Sequence, residues 1–309
     1  MAGSDGGLLI VGSVALDSVE TPSGRVERAL GGAAVYSSIA ASFFAPVRLV
    51  GVVGEDFPKE HIAFLASRGI DTRGLQVIPG GRTFHWKGAY YGDLNQAETI
   101  ATELNVFRDF NPRLPEDYRR CRFVFLANID PELQLAVLDQ VESPTLTACD
   151  TMNFWIEGKK AALLEVLNRV DVAFMNDAEV RLLTGQSNLN RAAEEVHKLG
   201  PRYVVVKKGE HGAVMYCNES ICFTAASYPL HQVVDPTGAG DSFAGGFMGY
   251  IARVGEINEA NLRRAVVYGS ALASFNVQDF SLNRLKHLTM EEIHARCEEF
   301  RRIVHFDPE

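Results

Sequence analysis

The segment Val233-Val234-Asp235-Pro236-Thr237-Gly238-Ala239-Gly240-Asp241-Ser242-Phe243-Ala244-Gly245-Gly246 joins a glycine-bearing turn to a carboxylate at the start of a helix. Gly238 and Gly240 can take backbone angles closed to other residues. Successive N–H groups there can converge on an anion, and the helix dipole behind them favours negative charge. Asp241 then stands beside that anion hole as a base for a substrate hydroxyl. Phe243, Phe247, Tyr250, Ile251 and Val254 recur at helical spacing and Gly255 offers a stop, which predicts a helix from Asp241 to Ile251. Gly245, Gly246 and Gly249 inside it each cost roughly 1 kcal/mol relative to alanine, so they predict close packing on a neighbouring backbone. The competing account of the same residues is a strand-to-helix turn capped by Asp241, with no chemistry.

Upstream of this turn the chain alternates strand and helix patterns. Leu8 to Gly12, Arg48 to Val53, Arg122 to Ala127, Thr145 to Cys149, Val172 to Met175 and Tyr203 to Lys207 read as buried strands. Helical patterns lie between them at Pro58 to Arg68, Pro131 to Val141, Glu157 to Arg169 and Arg191 to Leu199. Two more, Glu259 to Phe275 and Met290 to Ile303, complete the C-terminal part. The alternation predicts an α/β fold: one domain over residues 1–309 with a central, mostly parallel sheet and helices on both faces. Two stretches break the rhythm. Residues of about 15–29 are polar and turn-rich from Val19 to Arg28, and 83–107 carry strand-like alternation. Phe84, Trp86, Gly88 and Tyr90 fall on one side there, with a turn expected at Gly92-Asp93-Leu94-Asn95. An isolated hairpin does not stabilise itself, so this aromatic face is expected to cover something.

With a formal net charge of −9, the chain lacks the basic field that a nucleic acid or an anionic membrane would need. An anionic phosphate donor then has to be handled locally, by N–H groups and Mg²⁺. No early stretch reads as a signal peptide, and the longest apolar runs are strand-sized, so a cytoplasmic protein is expected. Five scattered cysteines without C-x-x-C spacing read as reduced thiols. The chain has no G-x-x-x-x-G-K-[ST], which excludes a Walker-type P-loop, and Gly12 after the first strand stands alone, which argues against a dinucleotide site.

Asp235-Pro236-Thr237-Gly238-Ala239-Gly240-Asp241 resembles the D-[TP]-x-G-A-G-D signature of the ribokinase, or phosphofructokinase-B, family of carbohydrate kinases. Gly31-Gly32, before Ala33 to Ala40, is similar to the glycine pair that opens an early helix in that family. Asn176-Asp177-Ala178-Glu179 matches its N-x-x-E motif. The resemblance runs from about Leu8 to about Phe300. It implies a ribokinase-like fold, ATP and Mg²⁺ as co-substrate and cofactor, and a small β lid formed by the two irregular stretches, often also a homodimer contact.

By the same resemblance Asp241 is the catalytic base, with Gly238, Ala239 and Gly240 supplying the anion-hole N–H groups. A carboxylate at a helix N-terminus is expected to stay ionised at neutral pH. Asn176 and Glu179 match residues that position Mg²⁺ and phosphate, through water because Mg²⁺ dehydrates reluctantly; as residues alone they suit a capping box equally. Lys207-Lys208-Gly209-Glu210-His211-Gly212 resembles the glycine turn near ATP, which places Lys207, Gly209 and Gly212 by the nucleotide. Asp235 and Thr237 match residues that bind a monovalent cation, K⁺, in some members.

Asp17, Gly31, Gly32, Tyr36 and Asn153 are the candidate substrate contacts: the resemblance implies that Asp17 hydrogen-bonds substrate hydroxyls, and Gly31 and Gly32 would let a polyol approach the backbone, with a turn Asp and a helix start as the competing readings. Ala33, Ala34 and Tyr36 stand where family ribokinases carry polar residues, a departure from ribose specificity. Asp150-Thr151-Met152-Asn153-Phe154-Trp155 resembles a D-x-N-x-R segment without its arginine, which argues against an acidic or phosphorylated sugar. The expected function is ATP-dependent phosphorylation of a hydroxyl on a small neutral polyhydroxylated molecule, with sugar the leading class. A nucleoside or inositol is the alternative, since Tyr36 and the aromatic lid could stack on a base. A non-catalytic metabolite sensor is the reading from a different class.

Overall fold

The computed structural model describes residues 7–92, 94–95, 97–217, 220–305 and 307; Asp93, expected in a turn, lies outside them. Its strands are β1 (Leu8–Val11), β2 (Ala15–Thr21), β3 (Gly24–Gly31), β4 (Val47–Gly54), β5 (Ile70–Ile78), β6 (Phe84–Ala89), β7 (Glu98–Glu103), β8 (Phe123–Leu126), β9 (Leu146–Asp150), β10 (Val172–Asn176), β11 (Tyr203–Lys207), β12 (Ala213–Cys217) and β13 (Ser220–Ala225). The helices are α1 (Ala33–Ser42), α2 (Lys59–Ser67), α3 (Pro131–Leu138), α4 (Asn153–Gly158), α5 (Lys160–Leu167), α6 (Asp177–Thr184), α7 (Leu189–His197), α8 (Ala239–Val254), α9 (Glu259–Asn276), α10 (Asn283–Lys286) and α11 (Met290–Val304).

Nine strands form one sheet in the order β13-β12-β11-β10-β9-β8-β1-β4-β5, parallel from β11 through β5 and antiparallel only in the β11-β12-β13 meander. Strand alternation decides which helices cover which face. Leu8 and Ile10 of β1 share a buried cluster with residues of α1, α8 and α9, whereas Leu9 and Val11 share the opposite one with α5, α6 and α7. A parallel sheet covered on both faces brings the C-terminal ends of β1, β8, β9, β10 and β11 to one edge, where α/β sites lie.

The two irregular stretches assemble into a second sheet of four strands, ordered β3-β2-β6-β7, in which β2 pairs with β6 in parallel and Asp17 sits in register with Trp86. Phe84 is anchored to the main body: its ring stacks on Phe107, and Phe107 stacks on Phe110. Trp86 lies across Gly88 and donates from Nε1 to the Thr99 hydroxyl at 3.3 Å. No helix among the described residues is long and apolar enough to cross a membrane.

Three expectations need correction. The pattern from Glu157 to Arg169 reads as one helix, but the chain forms α4 and α5 with a break at Lys159 (φ −137°, ψ 38°). Gly158 weakens the helix there, and the Lys159 ammonium is held 2.6 Å from both Asp130 and Glu132. The α3 helix ends at Leu138 rather than Val141. Cysteine is the third case: Cys217 and Cys222 form a disulfide, while Cys121 and Cys149 are buried and outside it. The β12-β13 hairpin brings the pair to a Cα separation of 5.6 Å, within bridging range, and a five-residue spacing carries no motif that would have announced it.

Candidate active site

Helix α8 begins where Gly238 takes a left-handed conformation (φ 75°, ψ 3°) as its N-cap. The glycine is required twice over, because a Cβ there would also strike the Tyr36 ring. Thr237 closes the turn by donating its N–H to Asp235 Oδ1 (2.9 Å), and the Ser281 N–H donates to Asp235 Oδ2 (3.1 Å). Asn276, fully buried at the end of α9, donates from Nδ2 to the Thr237 carbonyl at 2.7 Å. Ala239 was expected as an anion-hole donor, but its N–H already donates to the Pro236 carbonyl at 3.1 Å. The donors without an intrahelical acceptor are the next N–H groups of the first turn, at Gly240 and Asp241, the second turned toward the Asp241 carboxylate itself. Gly240 is also not the positive-φ residue the sequence suggested. It leaves room for Lys207: a Cβ there would stand 3.0 Å from Nζ, a tight contact that the end of the lysine would have to relieve.

The glycines inside α8 do what their cost predicted. A Cβ at Gly245 would overlap the Ser37 backbone of α1, one at Gly249 would lie 2.7 Å from Ala41 Cα, and one at Gly246 would lie 3.2 Å from Gly269 Cα in α9. Ser37 Oγ donates to the Ala33 carbonyl (2.7 Å) and to the Asp241 carbonyl (3.1 Å), pinning α1 to the first turn of α8.

This packing sets Asp17, Tyr36, Tyr90 and Asp241 around one space. Asp17 is buried, and its Oδ2 accepts from the Gly32 N–H at 3.2 Å. A Cβ on Gly31 would overlap that carboxylate, so Gly31 makes room for Asp17 itself, whereas one on Gly32 (φ 94°) would strike the Ser13 carbonyl. Burial pushes the Asp17 carboxyl up to about 7, the Gly32 N–H opposes the rise, and the charges of Asp235 and Asp241 add to it. Asp241 also rises to about 7, first through burial and then through the charge of Asp150, with Lys207 opposing. Full ionisation at neutral pH was expected from the helix dipole; desolvation outweighs it. Tyr36 is 1% exposed and its hydroxyl has no hydrogen-bond partner. A buried polar atom left unpaired costs about 1–3 kcal/mol, and this one lies within reach of the charges of Asp17 and Asp241. Tyr90 OH accepts from Thr237 Oγ1 at 3.2 Å and ties the four-stranded sheet to the α8 turn.

A second group occupies the ends of β9, β10 and β11. Lys207 Nζ donates to Asp150 Oδ2 at 2.6 Å, and the Thr151 N–H donates to Asp150 Oδ1 at 2.9 Å. Asn176 and Glu179 form a reciprocal capping box: the Glu179 N–H donates to Asn176 Oδ1 (2.8 Å) and the Asn176 N–H to Glu179 Oε2 (2.7 Å). The capping account is therefore realised. It occupies one Glu179 oxygen, and burial still lifts that carboxyl to about 7 against the pull of Lys207. Among the described residues no three His, Cys, Asp or Glu side chains are grouped to hold a metal ion directly. Gly209 (φ 54°) and Gly212 (φ 81°) bracket the turn after β11. A Cβ on Gly209 would strike Asn95 of the four-stranded sheet's hairpin. Asn153 stands apart from these groups, exposed, with its Oδ1 accepting from the Phe154 N–H at 3.0 Å.

Sequence reasoning passed over Tyr90, Asp150 and Asn276 as site residues. Tyr90 was legible from its place in the aromatic alternation, just after β6, and Asp150 from its position at a strand's carboxyl end. Asn276 had no local signal.

Residues 8–287 match the family described as pfkB family carbohydrate kinase. A cytidine kinase from Thermococcus kodakarensis is 32% identical over 250 residues, covering 80% of this chain and 88% of the relative. A nucleoside kinase from Methanothermobacter thermautotrophicus is 27% identical over 305 residues, covering 89% and 90%. The fold is that of the Methanocaldococcus jannaschii nucleoside kinase structure, with a TM-score of 0.77 at 23% identity over 96% of this chain and all of that one. The chain thus belongs to the pfkB family of carbohydrate kinases and is a phosphotransferase that acts on an alcohol group.

Proposed function

We propose that the protein transfers the γ-phosphoryl group of ATP to a ribose hydroxyl of a nucleoside. The observation that carries this is the convergence of two carboxylates, Asp17 and Asp241, and the unpartnered Tyr36 hydroxyl on one space at the N-terminus of α8. A ribose ring offers several hydroxyls to such a set. The sequence favoured a free sugar; the nucleoside reading gains from the two relatives, named cytidine kinase and nucleoside kinase, that align over most of their length. Tyr36 is not the stacking platform, because its ring packs on Gly238. Trp86, half-buried and in register with Asp17, takes that part.

In this reading Asp17 holds an acceptor hydroxyl, and Asp241 accepts the proton of the one that attacks. A new phosphate ester bond forms as the bond to ADP breaks. First-turn N–H groups at Gly240 and Asp241, opened by Gly238, receive the charge that develops on the transferring group. Gly209 and Gly212 let the nucleotide approach the turn after β11. Mg²⁺, when bound, neutralises phosphate charge; Asn176 and the free oxygen of Glu179 suit a hold through water, in keeping with the absence of a direct three-ligand cluster among the described residues. Asp235 and Thr237, closing the turn, are the pair for a monovalent cation such as K⁺. The four-stranded sheet serves as the lid of a single kinase domain. Tyr91 and Ile100, 60% and 49% exposed, give it apolar surface for a homodimer contact. A cytoplasmic location agrees with ATP as donor.

An acceptor panel of ribonucleosides, free ribose and inositol, read as ADP release with Mg·ATP, tests the proposal. A nucleoside should exceed ribose in kcat/KM by about 100-fold or more, given that lost contacts to a recognised group weigh this heavily. Ribose or inositol matching the best nucleoside would overturn it.

A further inference from the structure

The mechanism above leaves one charged pair without a task. Lys207 and Asp150 are 2.6 Å apart, with side chains 16% and 4% exposed. They come from β11 and β9, so the lysine reaches across the end of β10, which lies between them. Its path is set by α8. A Cβ on Gly240 would meet Nζ at 3.0 Å, Cε at 3.7 Å and Cδ at 3.8 Å, so the side chain runs along the first turn of that helix. Burial pulls the ammonium down, but Asp150 and Glu179 together outweigh it and hold it above its ordinary range. Asp150 is pushed up by burial and drawn back by Lys207. The lysine therefore stays cationic at the point where the helix presents its free N–H groups. A buried ion pair contributes little to stability when its desolvation is counted, so fold stability is a weak account of why it is here.

We propose that Lys207 is a second catalytic residue, a cation that meets the transferring phosphoryl group beside Gly240, and that Asp150 is the positioning residue that keeps the ammonium there. The inference rests on the phosphate site of the previous section but not on the identity of the acceptor. Without nucleotide the ammonium rests on Asp150. During transfer it turns one N–H toward the phosphoryl oxygens and keeps another on Asp150, so no proton moves and no bond to Lys207 forms or breaks. The pair supplies within the chain the positive charge that other phosphotransferases draw from a separate basic residue. Glycine at position 240 leaves the ammonium its place: a Cβ there would stand 3.0 Å from Nζ and press on it.

The test uses the full chain and the variants Lys207→Met, Lys207→Arg and Asp150→Asn, with the double variant Lys207→Met/Asp150→Asn, which removes both members of the 2.6 Å pair together, in case Lys207→Met folds poorly. Steady-state kinetics with Mg·ATP should show kcat lower by about 10²- to 10³-fold in Lys207→Met, the range for losing one group that stabilises transition-state charge. Acceptor KM should stay within threefold, and Lys207→Arg should recover at least tenfold of the loss. Asp150→Asn should lose kcat with the same split but less severely. Calorimetry without acceptor compares Mg·ADP alone with Mg·ADP plus aluminium fluoride, which imitates the planar transferring group. Wild type should bind the second more tightly, and Lys207→Met should lose that difference while its Kd for Mg·ADP alone changes less than fivefold. The proposal fails if Lys207→Met keeps kcat within threefold, or if it weakens both ligands equally, which would mark an ordinary ground-state contact. If no nucleoside in the panel reacts, the acceptor reading fails while the fluoride comparison still reports on Lys207.

Discussion

Asp241 must be ionised to accept a proton, yet protein surrounds it and lifts its carboxyl from 3.8 to about 7. The kcat/KM profile reports the free enzyme, so it should fall as pH drops through about 7, and more steeply than for a single group because Asp17 titrates alongside. The sign for stability is opposite. Between pH 3.8 and about 7 the folded state binds more protons at these two sites than the unfolded chain, so stability falls as pH rises through that window. Asp241→Asn should accordingly lower turnover by about 10²- to 10⁴-fold. At pH 7.5 it should raise the melting temperature by about 2 °C or more, since it removes a charge the fold disfavours. ATP binding should persist. A variant that kept more than about a tenth of the wild-type rate would remove Asp241 from the role of base; one that melted lower would contradict the desolvation.

At the scale of the helix, α8 shows glycine acting through space rather than through backbone angle. Gly245→Ala brings a methyl group onto the Ser37 backbone and should destabilise by about 1–3 kcal/mol, the overpacking cost exceeding the roughly 1 kcal/mol gained in helix propensity. Gly158 has nothing within 4 Å of its Cβ position and no positive φ, so Gly158→Ala should be neutral or stabilising by up to about 1 kcal/mol. Chemical denaturation of the two side by side checks the contrast. The capping box of α6 is a case where two accounts are both available to the same atoms. Removing both side chains, Asn176→Ala with Glu179→Ala, should cost about 1 kcal/mol of stability and raise the Mg²⁺ concentration needed for half-maximal rate. Lost stability with unchanged metal dependence would leave the cap as their whole role.

Across the molecule, the hairpin of the four-stranded sheet touches the main body at two places, through Tyr90 to Thr237 and through Asn95 beside Gly209. A sheet that covers transfer must exclude water and then release product. The sequence holds two tryptophans, and Trp155 is engaged with Asn128 Oδ1 at 2.9 Å, so a Trp155→Phe background isolates Trp86. Its emission should shift on adding the acceptor and change little with ATP alone. A shift with ATP alone would separate the sheet from acceptor binding. If instead Trp86→Ala lowered the sedimentation coefficient and acceptor left the emission unchanged, the aromatic face would belong to a dimer contact.

How far the fold was legible follows from the range of the forces involved. Strand-helix alternation, the start and stop of α8, the close approach of its glycines and the family signature at 235–241 are local patterns, and the chain displays them in sequence order. The break at Lys159, the Cys217–Cys222 bridge and Asn276 under the Thr237 carbonyl depend on partners 27 residues away, across a hairpin and 39 residues away, respectively, and no local period encodes them. The same division runs through the site. Asp241 and Gly238 could be nominated from the sequence because a helix start and a turn need those residue types, and Asp17 from the family resemblance. Their proton affinities, the closeness of Gly240 to Lys207 and the reach of Lys207 across β10 to Asp150 were decided only by tertiary structure, because burial and charge proximity are sums over neighbours that the chain brings together by folding.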